Sequence, residues 1–308
     1  MANTILTPTV IARSALATLI HQPILANLVN RDYEADFAGK QGDTITVRKP
    51  AIFTVDEFDR AQGIQLQDIT EGSFTVTLDT IPDVSFPITA EELTLEIDQF
   101  ESRFLAPAMS AIAEYLDAKI AETLADTARG VGGGGLVDGS GTATNRRNAF
   151  LQARAKLSRA KAPLTNRYVV LSPEAVAEVG EDDLFIRVDA SGSPQMLREA
   201  NLGRIQGFDT YESGVFGYAE GDATRGEVDG VAFHRDAVTL VTRTLQAPMG
   251  VAPNMVAVES FGGLGLRVVQ SYDQTYKQDV ISVDMLFGIA AGEDREAMAV
   301  EMEFGQGS

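Results

Sequence analysis

The strongest constraint on the fold is a long stripe of apolar residues in the first half of the chain. Its members recur every three or four residues and are Leu105, Met109, Ile112, Leu116, Ile120 and Leu124. This spacing predicts a helix of about thirty residues, over 99–129, with a single apolar face. Gly130 is expected to end it, and Pro107 should either bend it or mark its true start. A helix of this kind must lie across an extended layer of structure.

Two segments of alternating polar and apolar residues precede this helix and predict a two-stranded ribbon over about 42–80. They are separated by too many residues for a tight turn, so we expect an extended tip. The tip carries bulky apolar residues, namely Phe53, Val55, Phe58, Ile64, Leu66 and Ile69. Because two strands cannot form a core of their own, we expect these side chains to contact a neighbouring subunit.

Residues 4–29 form a second apolar arm. Pro8 lies near a predicted helix start, and the apolar residues Ile11, Ala15, Leu16 and Leu19 follow at helical spacing. As with the ribbon, we expect this arm to dock outside its own core.

The remaining segments predict a mixed α+β fold. A glycine-rich connection over 130–141 leads to a second helix over 145–161, a buried strand at 168–171 and a short helix opened by Ser172. Strands are predicted within 203–213 and 231–244, and again at 264–272 and 279–289. Strands at both ends of the chain fit no regular alternation of strands and helices.

Charge is distributed unevenly along the 308 residues, whose net charge is −19. Residues 32–126 carry twenty acidic and six basic side chains, whereas 139–173 contains no acid. The bases of that second stretch are Arg146, Arg147, Arg154, Lys156, Arg159, Lys161 and Arg167. This separation predicts that some of Arg146, Arg147, Arg154 and Arg159 pair with acids of a neighbouring copy or face an enclosed interior. The alternative is a solvated helix whose late bases suit its C-terminus. Both interpretations stay open.

Catalytic and metal sites have no support in the sequence, so we expect no enzyme and no cofactor. His21 and His234 are far apart, and neither Ser213 nor Ser260 lies in a nucleophile elbow. The glycine cluster at 130–135 follows a helix and lacks a Gly-Lys-Ser/Thr ending, so a hinge is favoured over a phosphate loop. The chain has no Cys, which fits assembly in a reducing cytoplasm, and neither a signal peptide nor a membrane span is expected.

Several motifs, in this order, resemble the coat-protein type of major capsid protein in tailed bacteriophages. They are MANTILTP at 1–8, GDTITVRKP at 42–50, SFPITAEELTL at 85–95, RFLAPA at 103–108, VLSPE at 170–174, GFD at 207–209, AFHRDA at 232–237 and SVDMLFG at 282–288. Together they span most of the chain, and their order carries the resemblance.

The resemblance implies the Hong Kong ninety-seven capsid fold. It divides the chain into an N-terminal arm and lead-in (1–41), an extended β-ribbon loop (42–88), a peripheral domain with a spine helix (89–165), an axial domain (166–248) and C-terminal strands that return to the periphery (249–308). In that fold the arm and the loop reach onto neighbouring subunits. The implied function is a homo-oligomeric shell of pentamers and hexamers around double-stranded phage DNA, assembled in the host cytoplasm and present in the virion.

The resemblance also implies partners. A portal and non-specifically held DNA are expected, with no membrane. No long charged helical segment precedes the arm, so a separate scaffolding protein is expected, and the short loop between Ser213 and Val231 lacks the inserted β-domain of some relatives. The alternatives are the shell of a gene-transfer particle or nanocompartment with the same fold, or an acidic α+β surface-layer or binding protein.

Overall fold

A computed structural model of the chain describes residues 7–21, 23–32, 44–48, 73–88, 101–130, 134–180, 203–216, 228–248, 251–261, 264–273, 278–291 and 298–304, with positions 55, 57 and 60. The helices in this part of the chain are α1 (Pro8–His21), α2 (Ala106–Arg129), α3 (Ala143–Arg159) and α4 (Pro173–Gly180). A 3₁₀ turn at Leu25–Asn27 follows α1, and a π-helical turn at Glu101–Leu105 leads into α2.

The predicted long helix is confirmed as α2, with a later start. Pro107 lies in its first turn, where the backbone N–H groups have no partner within the helix, so the missing N–H of proline removes no hydrogen bond. Pro107 therefore marks the true start of the helix. At the other end the Gly130 N–H donates to the Asp126 carbonyl at 2.8 Å. All six residues of the apolar stripe are buried.

The strands of the described residues form four sheets. Their bounds are β1 (Thr44–Arg48), β2 (Ser73–Thr77), β3 (Asp83–Ile88), β4 (Leu136–Asp138), β5 (Arg167–Leu171), β6 (Arg204–Ile205), β7 (Phe208–Glu212), β8 (Gly230–His234), β9 (Val238–Arg243), β10 (Val256–Phe261), β11 (Leu264–Asp273), β12 (Gln278–Asp284), β13 (Leu286–Ala291) and β14 (Ala299–Glu303). β1 pairs with β2, and β9 with β13. A four-stranded antiparallel sheet has the order β10-β11-β12-β3, and a six-stranded mixed sheet has the order β4-β14-β8-β5-β7-β6.

Three apolar clusters hold these elements together. The largest joins α1 and α2 to one face of the four-stranded sheet, where Leu266 and Val283 are fully buried. The second packs α3 and α4 on the six-stranded sheet around Phe150 and Phe208. The third packs β2 against β9 and β13. Helix α2 therefore lies across strands, as its single apolar face requires.

One expectation about the N-terminal arm is wrong for the part that the structure describes. The apolar stripe of α1 is buried within its own chain, because α1 packs against β10, β11 and α2. The apolar stripe of residues 8–21 is therefore buried by its own subunit and not by a neighbouring one.

Several strands were not anticipated. β14 was left unassigned by the sequence patterns, yet it lies between β4 and β8 in the six-stranded sheet. The single strand predicted over 279–289 is two strands, which separate at Met285 and join different sheets. Residues 83–88, grouped above with the ribbon loop, form β3 and pair with β12.

Candidate assembly surfaces

The base of the ribbon belongs to the core of its own subunit. β1 and β2 pair antiparallel, with Ile45 opposite Val76, which confirms the predicted ribbon at this point. On β2 and just beyond it, Phe74, Val76 and Leu78 are buried against β9 and β13. This alternation anchors one face of β2 in the subunit.

The tip of the ribbon is the surface that the sequence predicts to meet a neighbour. Of its six apolar residues, Val55 is described, and this residue is 97% exposed. Phe53, Phe58, Ile64, Leu66 and Ile69 lie outside the described residues. Their contact with another copy stays a prediction.

Helix α3 carries most of the basic stretch and has one face buried by Ala149, Phe150, Ala153 and Leu157. Thr142 begins it, its hydroxyl accepting the Asn145 N–H at 3.3 Å. At 3.6 residues per turn, Arg146 falls on the buried face, one turn before Phe150. Its Nε and Nη1 are buried and have no hydrogen-bond partner among the described residues.

The other predicted bases of α3 are exposed and do not form one patch with Arg146. Arg147 and Arg154 lie two turns apart on one flank, and Arg154 donates to the Gln206 carbonyl at 3.2 Å. Arg159 lies on the side facing away from the sheet. The structure thus separates four residues that the sequence had grouped.

Two further bases of the stretch serve the subunit itself. Buried Arg167 donates to the carbonyls of Ala162 and Pro163 at 2.8 and 2.7 Å, which satisfies backbone oxygens just beyond the end of α3. Burial lowers the pKa of Arg167, and nearby Arg154 lowers it further. Lys156 donates to the Leu136 carbonyl at 2.9 Å, and burial lowers its pKa.

Sequence reasoning missed Asp117, a buried carboxylate on α2. It accepts the backbone N–H groups of Ile24 at 2.7 Å and Ala26 at 3.1 Å, and thereby fixes the 3₁₀ turn after α1. Burial raises its pKa, although these hydrogen bonds oppose the shift. Its spacing could have indicated this burial, because Ala113 and Ile120, four residues before and three residues after it, are buried on the same face of the helix.

The described residues contain no cluster of acids and histidines that could hold a metal, and none of their helices is long and apolar enough to cross a membrane. His234 is buried, and its Nδ1 accepts the Asp236 N–H at 3.2 Å, which makes it a cap for the turn between β8 and β9. The side chain of His21 lies outside the described residues.

No protein-family model and no curated protein sequence matches the chain. Solved structures do match. A structure from Mycobacterium phage Che8 shares 20% identity and a TM-score of 0.64, with 91% of each chain covered. The capsid structure of cyanophage P-SCSP1u shares 15% identity and a TM-score of 0.64 over 92% of this chain and 89% of that one. The capsid of a native GTA particle has 13% sequence identity and a TM-score of 0.58, with 95% of this chain and 90% of that chain covered. The chain therefore has the mixed α+β fold of phage capsid proteins.

Proposed function

We propose that the chain is a major capsid protein whose copies assemble as pentamers and hexamers into an icosahedral shell around double-stranded phage DNA. The observation that carries the proposal is the extent of the structural match. It covers about nine-tenths of this chain and of the phage chains alike. The shared fold thus extends over most of this chain and is not confined to one part of it.

The local geometry supports the same role. In this proposal α2 is the spine helix, the four-stranded sheet belongs to the peripheral domain, and residues 166–248 form the axial domain. The ribbon is anchored at its base through Phe74 and Val76, so a tip that reaches a neighbour would transmit that contact to a fixed part of the subunit. The arm would contribute to the subunit's own core.

The charge balance is compatible with a container for DNA. A net charge of −19 discourages tight binding to phosphates. Weak binding is needed because the genome must be packed into the shell and later ejected from it. The proposal includes a separate scaffolding protein and a portal as assembly partners, assembly in the host bacterial cytoplasm and a final place in the virion. It assigns no catalytic step to the chain.

Electron microscopy of the purified recombinant protein tests the proposal. We expect closed shells or ring-shaped capsomers, with or without an added scaffold. A protein that stays monomeric at high concentration, or that forms flat sheets, would favour the surface-layer or binding alternative and contradict the capsid proposal.

A GTA-type shell is the second candidate, because the GTA capsid also matches over most of both chains. Both candidates form shells, so their cargo separates them. DNA extracted from native particles should be one uniform genome for a phage, whereas mixed fragments of host DNA would favour the GTA-type shell.

A further inference from the structure

Strand β10 is an outer strand of the four-stranded sheet. It is six residues long and pairs antiparallel with β11 over its whole length, from Val256 opposite Val269 to Phe261 opposite Leu264. In the part of the chain that the structure describes, no strand pairs with its other side. An open edge presents backbone N–H and C=O groups in the geometry that a further strand requires, so it is a template for pairing with another chain.

The other outer strands of the two larger sheets carry features that discourage such pairing. β3 begins with Asp83 and contains Pro87, which has no N–H to donate. β4 has three residues and ends with the exposed Asp138, and β6 has two residues, of which Arg204 is exposed. Short length, proline and charge are the usual protection of a sheet edge. β10 lacks this protection, since its six residues include no proline and a single charged side chain, Glu259.

The side chains of β10 alternate between a buried and an exposed side of the sheet. Ala257 is buried in the cluster that α1 and α2 form with the sheet. Val258, on the opposite side, is 41% exposed, and Met255, in the turn before the strand, is 40% exposed. Glu259 accepts a hydrogen bond from Nε of Arg13 at 3.0 Å, which balances its charge. The edge is therefore apolar and locally neutral.

A second copy of the same edge is the partner that this surface fits. Two copies that each carry a net charge of −19 repel each other, so a contact between them is favoured where both surfaces are neutral. A two-fold rotation brings identical surfaces together and turns a strand antiparallel to its copy. It also keeps the Arg13–Glu259 pairs of both copies on the same side of the joined sheet, where they add no net charge.

We propose that β10 pairs antiparallel with β10 of a second copy across a two-fold axis, so that two four-stranded sheets become one sheet of eight strands. This inference rests on the proposed function and adds to it a contact between copies. Copies around a five- or six-membered ring meet head to tail, whereas a two-fold contact joins identical surfaces. In the proposed shell, the contact therefore connects one ring to another.

The register of the pair follows from two requirements. Side chains directly opposite each other in an antiparallel pair lie on the same side of the sheet, so one residue must lie opposite its own copy at the axis. Val258 and Glu259 are the two central residues of β10. Glu259 opposite itself would bring two like charges together, which is unfavourable. Val258 therefore lies at the axis.

A single cysteine tests this register, because the chain contains no other cysteine. The Cα atoms of directly opposite residues are about 4.5–5.5 Å apart, within the range that a disulfide spans. Mild oxidation of assembled Val258→Cys should therefore give covalent dimers on a non-reducing denaturing gel. Ser260→Cys is the matched control on the same side of the same strand. It would lie opposite Val256 of the partner subunit, with its two copies about 13 Å apart, and should stay monomeric.

Charge at the axis provides an independent test. Val258→Lys and Val258→Glu, each alone, would place two like charges opposite each other and remove an apolar contact. We expect the subunit concentration needed for shells to rise by about tenfold or more in each case. An equimolar mixture of the two variants should assemble close to the wild-type concentration, because unlike charges then meet. The unfolding midpoint of each isolated variant should match the wild type, as for other exposed positions.

Four outcomes would overturn the pairing. They are well-formed Val258→Cys shells without dimers, equal dimer yields from Ser260→Cys, unchanged assembly of both charged variants, and a mixture that does not recover. A lowered midpoint of the charged variants would place Val258 in the core of its own subunit and also contradict the proposal. Wild-type subunits that form no shells contradict the proposed function instead, and Val258→Cys dimers in such a sample would still support the contact.

Discussion

At the scale of single residues, Asp117 shows how one buried polar side chain determines the path of the N-terminal segment. Its carboxylate accepts two backbone N–H groups from the turn after α1. Without it, the buried Ala26 N–H and the partly buried Ile24 N–H would lose their acceptor, and a fully buried donor without one costs about 1–3 kcal/mol. The hydrogen bonds therefore join α1 and α2, in addition to the apolar packing between them.

We expect Asp117→Ala to lower the free energy of unfolding by about 2 kcal/mol or more, because the buried Ala26 N–H and the partly buried Ile24 N–H lose their acceptor. Amide hydrogen exchange should accelerate at Ile24 and Ala26. Glu114→Ala, which removes an exposed acid from the same helix, is the control and should change neither measurement. Equal stability of the two variants would show that apolar packing alone positions the turn.

The raised pKa of Asp117 predicts the pH dependence of this effect. A carboxyl group with a raised pKa binds its proton more tightly in the folded state. Its contribution to stability is complete below the unfolded value, about 3.9, and is lost as the pH rises through the folded value. The stability difference between wild type and Asp117→Ala should thus be larger at pH 4 than at pH 7, as measured by urea denaturation. A difference that grows toward pH 7 would contradict the direction of this shift.

At the scale of elements, the base of the ribbon is buried in its own subunit, whereas we expect the apolar residues between β1 and β2 to contact a neighbouring copy. Phe74, Val76 and Leu78 fill a pocket against β9 and β13, whereas Val55 at the tip is almost fully exposed. Burying one large apolar side chain is worth about 1.5–3 kcal/mol. Several such residues at the tip would therefore supply much of a contact between copies.

Replacing Phe53 and Phe58 together with Asp should leave the free energy of unfolding within about 0.5 kcal/mol of the wild type, as for surface substitutions. The same change should abolish closed shells, because a charged tip cannot enter an apolar contact. Circular dichroism during thermal melting measures the first effect, and electron microscopy measures the second. Normal shells from a folded double variant would disprove the docking role of the tip.

Two single variants calibrate that experiment. Phe74→Ala, in the buried base, should destabilise the subunit by about 3–5 kcal/mol, as large core truncations do. Thr46→Asp adds a charge to the exposed side of the base and should affect neither folding nor assembly. If the tip variant behaves like Phe74→Ala, the two phenylalanines belong to a core within the subunit.

At the scale of the whole molecule, we expect the separation of charge along the chain to let copies attract each other in the proposed shell, despite their net negative charge. The bases on the exposed flank of α3 include Arg147 and Arg154. An exposed ion pair contributes only about 0–1 kcal/mol, yet each pair recurs in every subunit of a shell.

Reversing Arg147 and Arg154 to Glu should raise the subunit concentration needed for assembly at low ionic strength. The increase should shrink in about 1 M salt, where charges are screened within about 3 Å. Light scattering across a salt series measures this dependence. If assembly of the variant matches the wild type at every salt concentration, the exposed flank of α3 is simply solvated.

The sequence by itself determined the elements whose pattern is local. Helical spacing predicted the buried stripe of α2, and alternation predicted the pairing of β1 with β2, because both depend only on which residues face one side of a regular backbone. The ordered motifs indicated the capsid fold that the solved structures share with this chain.

Only the tertiary structure decided which surfaces bury which stripes. The helical spacing of α1 predicts an apolar side but not its partner, and it is the position of β10 and β11 that buries this side within the chain. The place of β14 between two strands distant in sequence also depends on packing between remote segments, as does the half-buried position of Arg146 on a helix whose other predicted arginines are exposed. Spacing along a chain specifies the direction of a side chain relative to its own element, whereas the partner that it meets is set by the arrangement of all the elements together.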